Sequence, residues 1–320
     1  MHSQRQCLRT SRRPNRLRQA LRTPGRHATR INLGTLPNED LFGGQQLNWL
    51  IDFLLAPAAM YRIIKRNRAL IHGLIQREIS SRYRGSMLGI LWSVLNPLLM
   101  LGVYAFVFTV VFKPKWAQAS PKSEFVMAMY AGIIVFNFFS ECVNRAPGLI
   151  LANVNYVKKV VFPLEILPVV TLGSAAFQLA INLVIWLVFY IAWFGAPGLS
   201  ILLLPVVLLP LFAMTLGISW LLAALGVYLR DISQVIGIAV MMLMHLSPVF
   251  YPLSMVPARF RTILSFGPLT LAVEQARDAM MWSRGPDWMA WFEYLLVALI
   301  VAALGFFWFE KTKKGFSDVL

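Results

Sequence analysis

Acidic side chains are scarce in this chain: 14 Asp and Glu stand against 30 Lys and Arg among 320 residues. Cysteine is scarcer still. Cys7 and Cys142 are the only two, too few for a disulfide framework. The four histidines (His2, His27, His72 and His245) are scattered, and no His/Cys/Asp/Glu group has metal-ligand spacing. Neither GxxxxGKS nor GxxxxGKT occurs, so the chain has no phosphate-cradling loop for ATP. HExxH, paired carboxylates and a Ser/His/Asp arrangement are missing too. No enzyme chemistry and no cofactor are expected on this chain.

What the sequence has in abundance is apolar length. It is 58% hydrophobic and 14% charged, with a mean hydropathy of +0.63, which describes a polytopic membrane protein. The net charge of +16 invites a nucleic-acid reading. Its distribution argues against one: residues 1–85 hold 16 Lys/Arg and 4 Asp/Glu, the rest 14 and 10. The excess precedes the first apolar stretch, where positive charge fixes membrane topology.

Residues 1–46 form a basic leader whose first 38 residues carry nine Arg and no acid, a composition expected to be disordered. It lacks the apolar core of a secretory signal. Residues 47–86 interleave apolar positions (Leu50, Leu54, Ile63, Leu70, Ile75) with Arg62, Lys65, Arg68 and Arg77. That pattern predicts an amphipathic segment on the cytoplasmic leaflet.

The remainder, 87–320, is expected to hold six transmembrane helices. Gly85–Phe112 has 28 residues without a charge. As a helix it would run roughly 42 Å, against about 30 Å of hydrocarbon. Its span is placed at 88–112, and a second at 125–151, interrupted only by Glu141 and Arg145. Ile166–Leu229 is free of charge for 64 residues, and Gly195-Ala-Pro-Gly198 divides it into spans at 168–194 and 199–229. A fifth is placed at 233–250 and a sixth at 291–309. Between those two, Pro248, Pro252, Pro257 and Pro268 break a mostly apolar stretch. It fits an outer segment that dips back into protein, because irregular backbone at membrane depth must be buried or line a cavity. Lys158/Lys159, Arg230 and Lys311/Lys313/Lys314 place both termini in the cytoplasm. Lys113, Lys115 and Lys122 oppose that orientation.

Five segments occur in a fixed order: RYRGSMLGILWSVLNPLLMLGVYAFVFTVVF from Arg82, NVNYVKKVVFPLEILPV at 153–169, LGVYLRDISQVI at 225–236, LSPVFYPLSMVPARFRTILSFGPLTLAVEQAR at 246–277, and GFSDVL at 315–320. Over about 60–320 the chain resembles type-2 ABC exporter permeases, specifically the branch that exports polysaccharide or polyol-phosphate chains (O-antigen, capsule, teichoic acid). The resemblance implies an all-α membrane protein of the bacterial inner membrane. It implies a six-span homodimer working with two copies of a separate ATPase subunit on a lipid-linked polysaccharide. ATP would bind the partner. The substrate is what the motifs specify least, so a drug or small-molecule exporter of the same superfamily stays open, as does a membrane glycosyltransferase.

Several residues then become candidates. Asn155, Tyr156, Val157, Lys158 and Lys159 would form the coupling helix that docks on the ATPase, or, for the two lysines, simply obey the charge rule. Arg82, Tyr83 and Arg84 stand where a lipid-pyrophosphate head would wait, since guanidinium clamps phosphate oxygens, or serve as interface anchors. Trp92, Tyr104, Phe108, Phe138 and Phe139 are candidates for channel lining. Glu141 and Arg145 share a helical face as an intramembrane pair, either along a polar path or as a structural pair near the inner interface. The Gly85-xxx-Gly89 spacing suits close helix contact.

Overall fold

The computed structural model describes residues 56–112, 122–158, 162–265 and 267–320. The leader, most of its junction with the interface segment, and Lys159 lie outside them. The described residues contain helices and connections and no strand.

A helical stretch at 56–66 leads into α1 (Arg68–Arg82). A turn then delivers the chain to α2 (Trp92–Phe106), extended by a π-helical turn, Val107–Phe112. That turn needs its glycines. Gly85 and Gly89 have φ of 88° and 52° with open space around them, so they reverse the backbone and pack no helix.

α3 (Lys122–Arg145) ends one residue earlier than Ala146-Pro147, because proline disfavours helix at the position before it. The span expected at 125–151 is thereby shortened to Ser123–Arg145. After a turn and a 3-10 segment comes the four-residue α4 (Val154–Val157). α5 (Ile166–Phe194) is stopped by Gly195, whose φ of 84° suits glycine. α6 (Leu204–Tyr228) follows a 3-10 lead-in. α7 (Ile232–Leu246) is 15 residues, about 22 Å of helix, short of the span expected at 233–250 because Ser247-Pro248 turns the chain. Two short helices follow, α8 (Ala258–Ser265) and α9 (Thr270–Met281). α10 (Trp288–Thr312) begins where the Asp287 carboxylate accepts from the Met289 and Ala290 amides at 3.1 and 3.4 Å. The chain ends in α11 (Phe316–Val319).

Among the described residues, five helices are long and apolar enough to cross a membrane, and α7 is a shorter apolar one. α3 is central: 83% of its most apolar window is buried, against 6% for the first span. α6 and α10 approach through small residues. A Cβ on Gly217 would meet the Ala302 backbone at 2.6 Å, and one on Gly305 would strike the Gly217 carbonyl. Indoles fasten the bundle: Trp186 donates to the Met127 carbonyl at 3.1 Å, Trp220 to Glu165 at 2.9 Å and Trp291 to Val206 at 3.0 Å. One apolar cluster at one end joins Ala56, Ile150, Leu164, Trp220, Phe309 and Phe316, so the interface segment, the α4 loop and the C-terminus share that end.

Candidate functional site

The sequence marked Arg82 and Glu141 as separate features, one on an interface collar and one inside a span. The fold joins them. Arg82 Nη2 pairs with Glu141 Oε1 and also donates to Ser174 Oγ at 2.9 Å. Arg145 reaches back to Glu141 at 3.4 Å and forms a second pair with Glu78 of α1. Four charges, two of each sign, thus bolt α1 to α3. Burial works against the Arg82 charge, but the hydrogen bond and the charge of Glu141 outweigh it and raise its pKa. Glu78 was not singled out in the sequence, although its spacing of four from Arg82 was the available signal.

Tyr83 donates its hydroxyl to Gln178 Oε1 at 3.2 Å. Gln178 in turn donates to the Ser93 carbonyl at 2.9 Å and to Asn182 Oδ1 at 3.4 Å. The Arg84 side chain is exposed and has no partner among the described residues. Of the collar, Arg82 and Tyr83 are therefore engaged inside the fold, and Arg84 is left facing outward.

α4 divides its residues by face. Asn155 and Lys158 are exposed. Tyr156 and Val157 pack against the end cluster, with Tyr156 stacked on Phe162 at 4.2 Å. The Tyr156 hydroxyl accepts from Arg77 Nη1 at 3.2 Å, so the loop also touches α1. Lys159 lies outside the described residues.

The aromatic candidates separate equally clearly. Phe138 and Phe139 are 2% exposed in the core, Phe138 stacked on Phe212 at 4.3 Å. Phe108 stacks on Phe250 at 5.7 Å. Trp92 and Tyr104 instead line a cleft of about 500 Å³ between α2, α3 and α5. Its polar wall comes from amides and hydroxyls, Asn96, Asn137, Gln178, Asn182 and Tyr130 among them, with Arg82 and Glu141 at one end. None of those five was read from the sequence. The available signals were Gln178 and Asn182 four apart in a charge-free span, and Asn137 as the one polar side chain within the apolar run 125–139 apart from Tyr130.

At the other end, Arg277 of α9 is buried and donates to three carbonyls: Ala128 at 2.9 Å, Pro248 at 2.8 Å and Val249 at 3.0 Å. Trp282 adds a bond to Glu124 at 3.2 Å. The two short helices before α10 are thus tied to α3 through α9.

Comparison with known proteins places this geometry. An O-antigen export system permease protein, RfbA, of Myxococcus xanthus is 29% identical over 266 residues, covering 81% of this chain and 98% of the relative. RfbA of Klebsiella pneumoniae is 24% identical over 77% of this chain and 93% of the relative. A polysialic acid transport protein, KpsM, of Escherichia coli is 26% identical over 66% of this chain and 81% of the relative. The family described as an ABC-2 type transporter matches residues 69–281, from α1 to the end of α9. With multiple membrane-length apolar helices and that match over most of its length, the chain belongs to the ABC-2 type transporter family, as a multi-pass membrane permease.

Proposed function

We propose that the chain is the permease subunit of an ATP-driven exporter that moves lipid-linked polysaccharide across the bacterial cytoplasmic membrane. The observation that carries this is the similarity to O-antigen export permeases over nearly their whole length. The likeness to a polysialic acid transport protein extends the same substrate class to capsule-type polymers. In this reading two copies of the chain assemble with two copies of an ATPase subunit, and both termini face the cytoplasm. α7 together with the residues after it makes the fifth of six crossings, and α8 and α9 form a re-entrant outer cap buttressed by Arg277.

The division of α4 supports a docking role: Tyr156 and Val157 anchor the loop, leaving Asn155 and Lys158 free for a partner. The Tyr156–Arg77 bond and the Glu78–Arg145 pair supply a route from that loop to α1 and on to α3. Arg84 is the collar residue free to meet a phosphate.

The test is deletion and complementation. Loss of the chain should remove polymer from the cell surface and leave lipid-linked polymer accumulating inside. Normal surface polymer in the deletion, with altered drug sensitivity instead, would transfer the assignment to a small-molecule exporter.

A further inference from the structure

The cleft between α2, α3 and α5 is an anomaly for a helix bundle in lipid. Asn137 is exposed near the middle of α3, a helix otherwise almost wholly buried, and Asn96 is exposed on α2. Neither amide has a hydrogen-bond partner among the described residues. Unsatisfied polar groups at membrane depth are costly, so such amides face water or a ligand. Tyr130 sharpens the point. It is 3% exposed, it lines the same cleft, and its hydroxyl has no partner among the described residues. A buried hydroxyl left unpaired is destabilising unless something else meets it.

The charges of the cleft are confined to one end, where Arg82 and Glu141 neutralise each other. Asn182 lies eight residues beyond Ser174 on α5, so the amides extend about 12 Å past that pair. The rest of the lining is neutral: carboxamides with both donor and acceptor atoms, a free phenol, and the aromatic side chains of Trp92 and Tyr104 among them. Its volume of about 500 Å³ is that of a small-molecule site. Phosphate would find no cation there, and an apolar drug would leave the amides unsatisfied. A ligand dense in hydroxyls, with C–H faces for the aromatic rings, satisfies both kinds of surface.

We propose that this cleft binds sugar units of the polymer in transit, with Asn96, Asn137 and Tyr130 as the hydrogen-bonding residues; the inference rests on the polysaccharide reading above. The amides then specify hydroxyl-rich substrate, separately from the head-group contact at the Arg84 collar.

The test uses the full complex of the chain with its ATPase in lipid nanodiscs. Asn96→Cys and Asn137→Cys are treated with a membrane-impermeant methanethiosulfonate, and wild-type labelling, limited at the buried Cys142, is subtracted. Because only a hydrated thiol ionises readily, both should label at least about tenfold faster than Val188→Cys on the apolar face of α5. A polyprenyl-pyrophosphate-linked oligosaccharide should slow the labelling, and polyprenyl pyrophosphate alone should not. Tyr130→Phe should lower export at limiting polymer about three- to tenfold, the worth of one hydrogen bond, without loss of thermal stability. A hydroxyl merely trapped in the core predicts unchanged export and equal or higher stability. Labelling that ignores the oligosaccharide overturns the cleft assignment, as does labelling no faster than at Val188→Cys, the result if lipid or a second copy fills the cleft. Neither outcome touches the export reading, which falls only if deleting the chain leaves polymer export normal.

Discussion

At the residue scale, Arg277 illustrates how one side chain organises a region. Its guanidinium meets three backbone carbonyls from two segments and has no carboxylate in direct contact among the described residues. Arg277→Ala would orphan those carbonyls, and Arg277→Lys cannot reproduce a planar fork. The alanine change should cost about 1–3 kcal/mol for each carbonyl left buried and unpaired, and the lysine change should recover only part of it. Thermal unfolding of the purified protein in detergent measures both, and equal stability of all three forms would remove the buttress. The Arg82–Glu141 pair makes a gentler case, since both side chains are partly exposed. A double-mutant cycle with Arg82→Gln and Glu141→Gln should return a coupling of about 0.5–3 kcal/mol, and additive losses would mean that the two groups act separately. Neither contact was readable in the sequence. Arg277 stands next to Asp278 and three residues after Glu274, a mixed-charge run with nothing to mark one member as buried, and Arg82 and Glu141 are 59 positions apart. Periodicity reports what shares a face of one helix and is blind to what another helix brings.

At the element scale the sequence was far more explicit. Long stretches with little or no charge located the five long apolar helices among the described residues, and the Gly195–Gly198 break fell between α5 and the lead-in to α6. Boundaries were lost where proline acted: Pro147 and Pro248 ended α3 and α7 sooner than hydropathy alone suggests. The Gly85/Gly89 pair looked like a helix-contact motif and proved to be turn chemistry, because sequence spacing carries no φ. The small-residue contact lies instead at Gly217 and Gly305, on helices remote in sequence. Gly305→Val should force α6 and α10 apart and lower the unfolding temperature or abolish insertion, read by protease resistance in membranes. The α4 loop carries a functional prediction. Charge reversal of Lys158 and Lys159 to Glu should reduce co-purification of the ATPase about a hundredfold or more, as unpaired like charges at an interface cost several kcal/mol. Insertion should persist, since the N-terminal arginines and Lys311, Lys313 and Lys314 remain. Lysines that serve topology alone predict the reverse, with faulty insertion but normal ATPase binding in correctly inserted protein.

For the whole molecule, the proposed division of labour between this chain and an ATPase subunit decides what can be measured in isolation. The family match begins at residue 69, past the basic leader at 1–46. A chain lacking 1–46 should therefore insert and export normally, and loss of surface polymer in that truncation would assign the leader a role. The energetics of transport point the same way. Moving a polymer outward against its gradient requires a coupled source of free energy, and the sequence has no phosphate-binding loop to harvest one. What the chain does have is a mechanical linkage: α4 touches α1 through Tyr156 and Arg77, α1 holds α3 through two ion pairs, and α3 forms one wall of the polar cleft. Force applied at the exposed face of α4 would reach the cleft wall without any chemistry in between. The purified chain should consequently show no nucleotide turnover, and the reconstituted complex should hydrolyse ATP. Arg77→Ala with Tyr156→Phe should leave ATPase binding and basal hydrolysis in place while lowering polymer exported per ATP consumed. Turnover by the chain alone contradicts the subunit reading; an unchanged ratio of export to hydrolysis in the double variant would show that motion reaches α3 by another route.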